Sequence, residues 1–280
     1  MKKILVTGAG GYIGRHIVKK LCEMNYSIIA VDINTNTIDD RAIKLIYDIF
    51  DCDETVYKKL GSPDVCLHLA WQDGFKHNSE LHIDKLPSHY RFLRYMLEGG
   101  LKHIAIMGTM HEIGYWEGEI DENTPANPLT YYGIAKNALR QLVKILVNDK
   151  DIVFQWLRAF YIYGDDIYNN SIFSKILKME REGKSTFPFT TGKNKFDFIS
   201  IDELSTQIAY AVTQDKISGI INCCSGKPMA LKERIEQFIK ENGLKIRPEY
   251  GAYPERPYES PAIWGSNDKI LRILSSKGEV

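Results

Sequence analysis

Two side chains four positions apart carry the chemical reading: Tyr132 and Lys136, in the run Tyr132-Gly133-Ile134-Ala135-Lys136. Residues at i and i+4 share one helix face, so the phenol and the ammonium are expected side by side. A free tyrosine ionises near pH ~10, too high for ready proton exchange at neutrality. A neighbouring ammonium favours the phenolate and lowers that value. The pair therefore predicts a general acid or base. Thr109 supplies a third group. It follows the apolar run His103 to Met107, and at the end of such a strand its hydroxyl can bond the same substrate oxygen as Tyr132. The three residues predict proton exchange at a carbonyl or hydroxyl.

A carbonyl–hydroxyl exchange needs a hydride carrier, and the N-terminus predicts a place for one. The turn reads Thr7-Gly8-Ala9-Gly10-Gly11-Tyr12-Ile13-Gly14. Gly8, Gly11 and Gly14 permit a tight turn, a close backbone approach to a pyrophosphate, and packing of the next helix on the strand. The helix opening near Tyr12 and Ile13 offers free N–H groups and its positive dipole end to the phosphates. Asp32 closes the next strand. An acid there accepts hydrogen bonds from the adenosine ribose and repels a 2′-phosphate, which predicts NAD(H). Arg15, beside the turn, leaves NADP(H) open, because a guanidinium can pair with a 2′-phosphate.

Alternating strands and helices must position these groups. Strands are expected at Lys3–Thr7, Ser27–Val31, Lys44–Tyr47, Val65–Leu69, His103–Met107 and Val153–Leu157. Helices are expected at Arg15–Met24, Lys85–Gly99 and Thr130–Val147, the last with Thr130 as N-cap. The alternation predicts an α/β fold: a Rossmann doubly wound parallel sheet with a small C-terminal α/β substrate-binding lobe. Beyond residue 165 the pattern loosens. A helix near Ser174–Glu182, a loop rich in Thr, Gly and Lys to Lys195, a strand-helix unit over Phe198–Val212 and a helix at Leu231–Asn242 are expected. Tyr253–Pro261, with three prolines, is expected to be irregular. The division reads as residues 1–165 with about 196–222 for the dinucleotide, and 166–195 with 223–280 for the lobe.

Composition excludes several classes. Lys and Arg number 36 against 36 Asp and Glu, so no basic excess points to nucleic acid. No apolar stretch approaches the roughly 20 residues of a membrane span. Ile4-Leu5-Val6 is too short for a signal peptide. Cys22, Cys52, Cys66, Cys223 and Cys224 form no C-x-x-C pair, which predicts reduced thiols in a cytoplasm. His77 and His82 lack zincin spacing and are expected at the surface, and no metal site is expected.

The chain resembles the extended short-chain dehydrogenase/reductase family, the nucleotide-sugar epimerases, dehydratases and reductases. The resemblance spans nearly the whole length. It rests on Thr7 to Gly14, Asp32, Asp48-Ile49, His68-Leu69-Ala70, Thr109 with Gly114, Pro128 to Lys136, Leu157-Arg158 to Gly164, Phe198 to Leu204, and Arg256 with Asn267-Asp268-Lys269. It implies that Asp48 and Ile49 meet the adenine, that Leu69 and Ala70 line the cofactor, and that Lys136 also binds the nicotinamide ribose. It implies a nucleotide-sugar substrate with its diphosphate on Arg256, and a homodimer through the helices at 85–99 and 130–147.

Departures from the family pattern narrow the reaction. Dehydratases of the family carry Asp and Glu after the Thr; here Met110 and His111 follow. No Cys lies near Thr109 to serve an epimerisation at carbons 3 and 5. Tyr161 stands where the family commonly has Asn, and Phe196 where it has Arg, which implies a remodelled sugar pocket. Trp71, Met110, His111 and Tyr161 are the candidate substrate contacts. The chain most resembles reductases of nucleotide-linked 4-keto-6-deoxyhexoses. A C4 epimerase that holds its NAD, and a non-catalytic NAD sensor, are the rival readings.

Overall fold

The computed structural model describes residues 2–164, 171–254 and 260–278. The apolar runs become buried strands because each must hide both faces. In chain order the first half comprises β1 (Lys3–Thr7), α1 (Tyr12–Glu23), β2 (Ser27–Asp32), β3 (Ile43–Ile46), α2 (Val56–Lys59), β4 (Val65–His68), α3 (Leu81–Glu98), β5 (His103–Thr109), β6 (Gly118–Ile120), α4 (Tyr131–Val147) and β7 (Val153–Ala159). There follow β8 (Tyr161–Tyr163), α5 (Ile172–Arg181), β9 (Thr186–Pro188), β10 (Lys195–Ser200), α6 (Ile201–Val212), β11 (Gly219–Cys223), β12 (Pro228–Ala230), α7 (Leu231–Glu241), β13 (Arg247–Glu249), β14 (Ala262–Gly265) and α8 (Asp268–Ser275).

Seven parallel strands form the large sheet in the order β11-β7-β5-β4-β1-β2-β3. The chain reverses direction between β1 and β4, the switch point at which such sheets bind ligands. On one face α1, α6 and α8 bury Ile17, Val18, Leu21, Leu204, Ile208 and Ile273. On the other, α3 and α4 bury Phe92, Leu93, Met96, Leu139 and Val143 beside Trp156. A second sheet, β12-β10-β14-β6 with β8 against β10, builds the lobe. Its core is a phenylalanine cluster that includes Phe173, Phe187, Phe196, Phe198 and Phe238. This is the expected α/β Rossmann sheet with a C-terminal α/β lobe.

Several bounds differ from the sequence expectation. Helix α1 starts at Tyr12, directly after an extended Gly11, rather than at Arg15. Helix α3 starts at Leu81 and carries Pro87 inside it, although proline removes one backbone donor. Strand β10 joins the small sheet, while the helix after it, α6, packs on α1 beside the large one. The supposed loop to Lys195 contains β9, which pairs with β13. The Tyr253–Pro261 segment falls largely outside the described residues.

The lobe is bolted to the large sheet by buried polar groups. Arg158 on β7 donates to the Asp121 carbonyl at 2.9 Å and to Asn222 Oδ1 on β11 at 3.3 Å. Asn222 Nδ2 donates to the carbonyls of Ile120 and Ser266 at 2.8 and 3.0 Å. Asp197, fully buried, accepts from Ser225 N, Ser225 Oγ, Gly226 N and Gly265 N. A buried carboxylate is tolerable only with donors of this number.

Candidate active site

The C-terminal ends of β1, β2, β5 and β7 open on one cavity of about 1300 Å³ that also reaches the lobe. Its wall begins at the glycine turn. Gly8 takes φ +68°, and a Cβ there would lie 2.6 Å from the Ala70 nitrogen. A Cβ on Gly14 would collide with the Gly8 carbonyl oxygen. The turn is therefore a cradle that only glycine leaves open. Gly11 caps α1 without a side chain, so the first N–H groups and the positive helix end stay available to a phosphate.

Asp32 lies beside this cradle. Its carboxylate accepts from Gly10 N at 2.9 Å and Asn34 N at 3.2 Å, which fixes its orientation. The Arg15 guanidinium lies over the Tyr12 ring, 5.4 Å from its centre. Asp48 and Ile49 line the same cavity, and Asp48 Oδ1 accepts from Phe50 N at 2.9 Å. Leu69 and Ala70 line it from the end of β4.

Thr109, Tyr132 and Lys136 meet at the centre of the wall. Thr130 caps α4 by accepting from Gly133 N at 3.2 Å, as its position predicts. Gly133 lets the helix press on the turn after β5, since a Cβ there would strike the His111 carbonyl oxygen. That contact brings the Tyr132 ring to the Thr109 hydroxyl, and their hydrogen bond favours the phenolate. Burial wins over it and pushes the Tyr132 phenol up to about 12. Burial also pulls the Lys136 ammonium down to about 7, against the carboxylate of Glu112.

The lowering of Tyr132 by Lys136 that the spacing predicts is absent, for a geometric reason. The Lys136 ammonium donates to the Met107 carbonyl at 2.7 Å. It stands 3.8 Å from the centre of the Trp71 ring and 5.9 Å from that of Tyr132. Trp71 is thus its aromatic partner. On its other side Trp71 stacks on His89, with ring centres 4.4 Å apart. Its indole N–H donates to His82 Nδ1 at 3.0 Å, and His82 Nε2 faces the Lys76 carbonyl at 3.0 Å. His89 in turn meets His68 at 2.9 Å, and His68 meets the Thr7 hydroxyl at 2.8 Å. Burial pulls the His68 imidazole down to about 3 and that of His89 well below its ordinary value.

Every sequence-predicted site residue among the described ones lines this cavity: the glycine turn, Asp32, Asp48, Ile49, Leu69, Ala70, Trp71, Thr109, Met110, His111, Tyr132, Lys136 and Tyr161. Arg256 lies outside the described residues. His77 and His82 are not the surface residues that their spacing suggested. His82 is buried. His77 stacks on Tyr132 with ring centres 5.3 Å apart, and its carbonyl accepts from Tyr132 N at 2.9 Å. The segment after β4 folds back over the start of α4, which spacing alone does not reveal. Sequence reading also missed Glu112, which is fully buried behind Thr109. Its signal is present: Thr109-Met110-His111-Glu112 is a capping box.

The profile of the NAD dependent epimerase/dehydratase family matches residues 4–224. The chain belongs to that family. As a family member it is an NAD-dependent oxidoreductase. A dTDP-6-deoxy-L-talose 4-dehydrogenase (NAD(+)) of Aggregatibacter actinomycetemcomitans is 45% identical over 268 residues, covering 94% of this chain and 99% of its own. Among solved structures, a UDP-glucose 4-epimerase shares the fold at a TM-score of 0.85 and 19% identity, covering 98% of this chain and 91% of its own. A UDP-glucuronic acid 4-epimerase of Bacillus cereus, in complex with UDP-glucuronic acid and NAD, matches at a TM-score of 0.78 and 23% identity, over 98% of this chain and 93% of its own. The two structures speak for the fold of the family.

Proposed function

We propose that this family member exchanges the 4-hydroxyl and 4-keto groups of a dTDP-linked 6-deoxyhexose, with NAD(H) as hydride partner. The observation that carries the reading is the 45% identity, over nearly all of both chains, to an enzyme named for oxidation at C4 of dTDP-6-deoxy-L-talose. Reduction of the 4-keto group is the same reaction run backwards.

The cavity supports it. The glycine cradle, the free N–H groups of α1 and Asp32 suit a dinucleotide. Asp32 favours NAD(H), since a 2′-phosphate beside its carboxylate meets like charge. Arg41, nine residues beyond Asp32, is paired with Asp39 at 2.7 Å. Met110, Phe160, Phe196 and Phe198 make the lobe side of the cavity largely apolar, which suits a methyl at C6 better than a hydroxyl. Phe196 packs against Tyr161 at a tilt of 38°, with ring centres 4.4 Å apart, at the two positions that depart from the family pattern.

When bound, the cofactor supplies the hydride exchange at C4. Tyr132 moves the proton: in the reductive direction its hydroxyl gives a proton to the C4 oxygen, and in the oxidative direction the phenolate takes it back. Thr109 donates to or accepts from the same oxygen and holds it against Tyr132. Lys136, held on the Met107 carbonyl and against the Trp71 ring, lines the cavity where it would bind the nicotinamide ribose. Met110 and His111 put no carboxylate against the sugar, so elimination of water has no acid-base pair.

The test is incubation of the protein with dTDP-6-deoxy-L-talose and NAD+, and of the 4-keto sugar with NADH, while the nicotinamide absorbance band is followed. Formation of NADH in the first and its loss in the second are expected, with NADP weaker by about tenfold or more. A C4 epimerase interconverts the 4-hydroxyl sugars with no net change in that band, and this outcome would overturn the proposal.

A further inference from the structure

Glu112 is a fully buried carboxylate that no sequence motif of the proposed chemistry assigns. It does not line the cavity and touches no substrate position. It joins three parts of the fold. Its Oε1 accepts from Trp156 Nε1 at 2.8 Å and from Arg158 Nε at 3.2 Å, both on β7. The same oxygen accepts from the Thr109 backbone N–H at 3.4 Å, at the end of β5. Its Oε2 accepts from Arg140 Nε at 3.1 Å. Arg140 lies one helical turn beyond Lys136 and two beyond Tyr132 on α4. The arrangement is built: Gly108 is bare where a Cβ would strike the Trp156 indole. That small residue lets the indole reach Glu112.

We infer that Glu112 is a positioning residue, which sets the Thr109 hydroxyl against Tyr132 by tying the end of β5 to α4 through Arg140. The inference rests on the proposed use of Thr109, Tyr132 and Lys136. Beside this tie, the two elements meet through the packing of Gly133 on His111 and the hydrogen bond from Lys136 to the Met107 carbonyl; neither fixes the turn that carries the Thr109 backbone N–H. A turn of backbone free to shift by an ångström would lose alignment with the substrate oxygen.

The same carboxylate bears on Lys136. The groups that face Lys136 are His68 on β4, Trp71 after it, His89 on α3, Tyr132 on its own helix, and Glu112 with its partners Arg158 and Arg140. Burial holds His68 and His89 neutral, so they oppose the ammonium's loss of water with no charge. Glu112 is the carboxylate that raises Lys136. Its removal must therefore let Lys136 lose its proton at lower pH.

Two variants separate these consequences. Glu112→Asp keeps the charge but is one methylene too short to reach Arg140 and Trp156 together. With dTDP-6-deoxy-L-talose and NAD+ it is expected to lower kcat about tenfold with KM within about twofold. Glu112→Gln removes the charge. In protein labelled with 15N-lysine, with the Lys136 Nζ signal assigned by its loss in Lys136→Arg, its midpoint is expected to lie below that of wild type. The titration needs no sugar, so it decides on Glu112 even where the proposed reaction fails. Wild-type kcat in Glu112→Asp, or a wild-type Lys136 midpoint in Glu112→Gln, overturns the inference. If Glu112→Gln does not fold, Arg140→Met cuts the same tie from the helix side. It must reproduce the loss of kcat at unchanged KM, and wild-type kcat there overturns the inference too.

Discussion

Tyr132 combines a phenol closed in by four rings with a hydrogen bond to the Thr109 hydroxyl. Trp71, His77, His82 and His111 surround it at centre distances of 5.2 to 6.1 Å. Removal of its hydroxyl leaves that box intact. Tyr132→Phe is expected to bind NAD with wild-type affinity while turnover falls about a hundredfold or more; unchanged turnover would remove Tyr132 from proton exchange. The pair Tyr132 and Lys136 was legible because covalent spacing on one helix fixes it. The partnership of Lys136 with Trp71 was not, because it depends on where the segment after β4 folds. Glu112 lay between these cases. A capping box can be read from four residues, but its three side-chain donors come from β7 and α4.

At the scale of elements, the decisive contact is the closeness of α4 to the turn after β5. Gly133→Ala puts a Cβ into the His111 carbonyl, so the helix must back away from Thr109. A loss of stability of about 1–3 kcal/mol is expected in denaturant unfolding. Turnover is expected to fall further than NAD affinity, because the cradle lies on α1. Equal loss of both would show that the shift spreads beyond α4. The long elements were legible because their apolar periodicity runs over several turns or a whole buried strand. Strands β6, β8, β9, β12 and β13 have three residues each. No period can show in so short a run, and each exists only because a distant partner completes its hydrogen bonds. Helix α3 was read short, from Lys85, yet the packing of Phe92, Leu93 and Met96 anchors a helix that runs from Leu81 through Pro87.

Across the whole molecule, burial of neutral histidines has a thermodynamic cost in acid. His68 and His111 are each pulled down to about 3, and His89 well below its ordinary value. Their unfolded forms take up protons near pH ~6.5. Between that pH and about 3 the unfolded chain binds more protons than the folded one, so stability falls as pH falls. The stability is fully present above pH ~6.5. Tm is expected to drop steeply from pH ~6.5 to ~4, and His111→Phe to flatten that slope; a flat wild-type profile would contradict the burial. That a lobe accompanies the sheet was legible from the loss of alternation after residue 165, although β6 and β8 of the lobe's sheet precede that point. The way the two interlock was not, since Arg158 and Asn222 find their partners across 37 to 102 residues. That interlock decides how the molecule comes apart. Separation of the lobe would break the buried hydrogen bonds of Arg158 and Asn222 together with the packing around them, so the lobe has no inexpensive route to melting alone. Sheet and lobe should melt in one transition, with equal calorimetric and van't Hoff enthalpies.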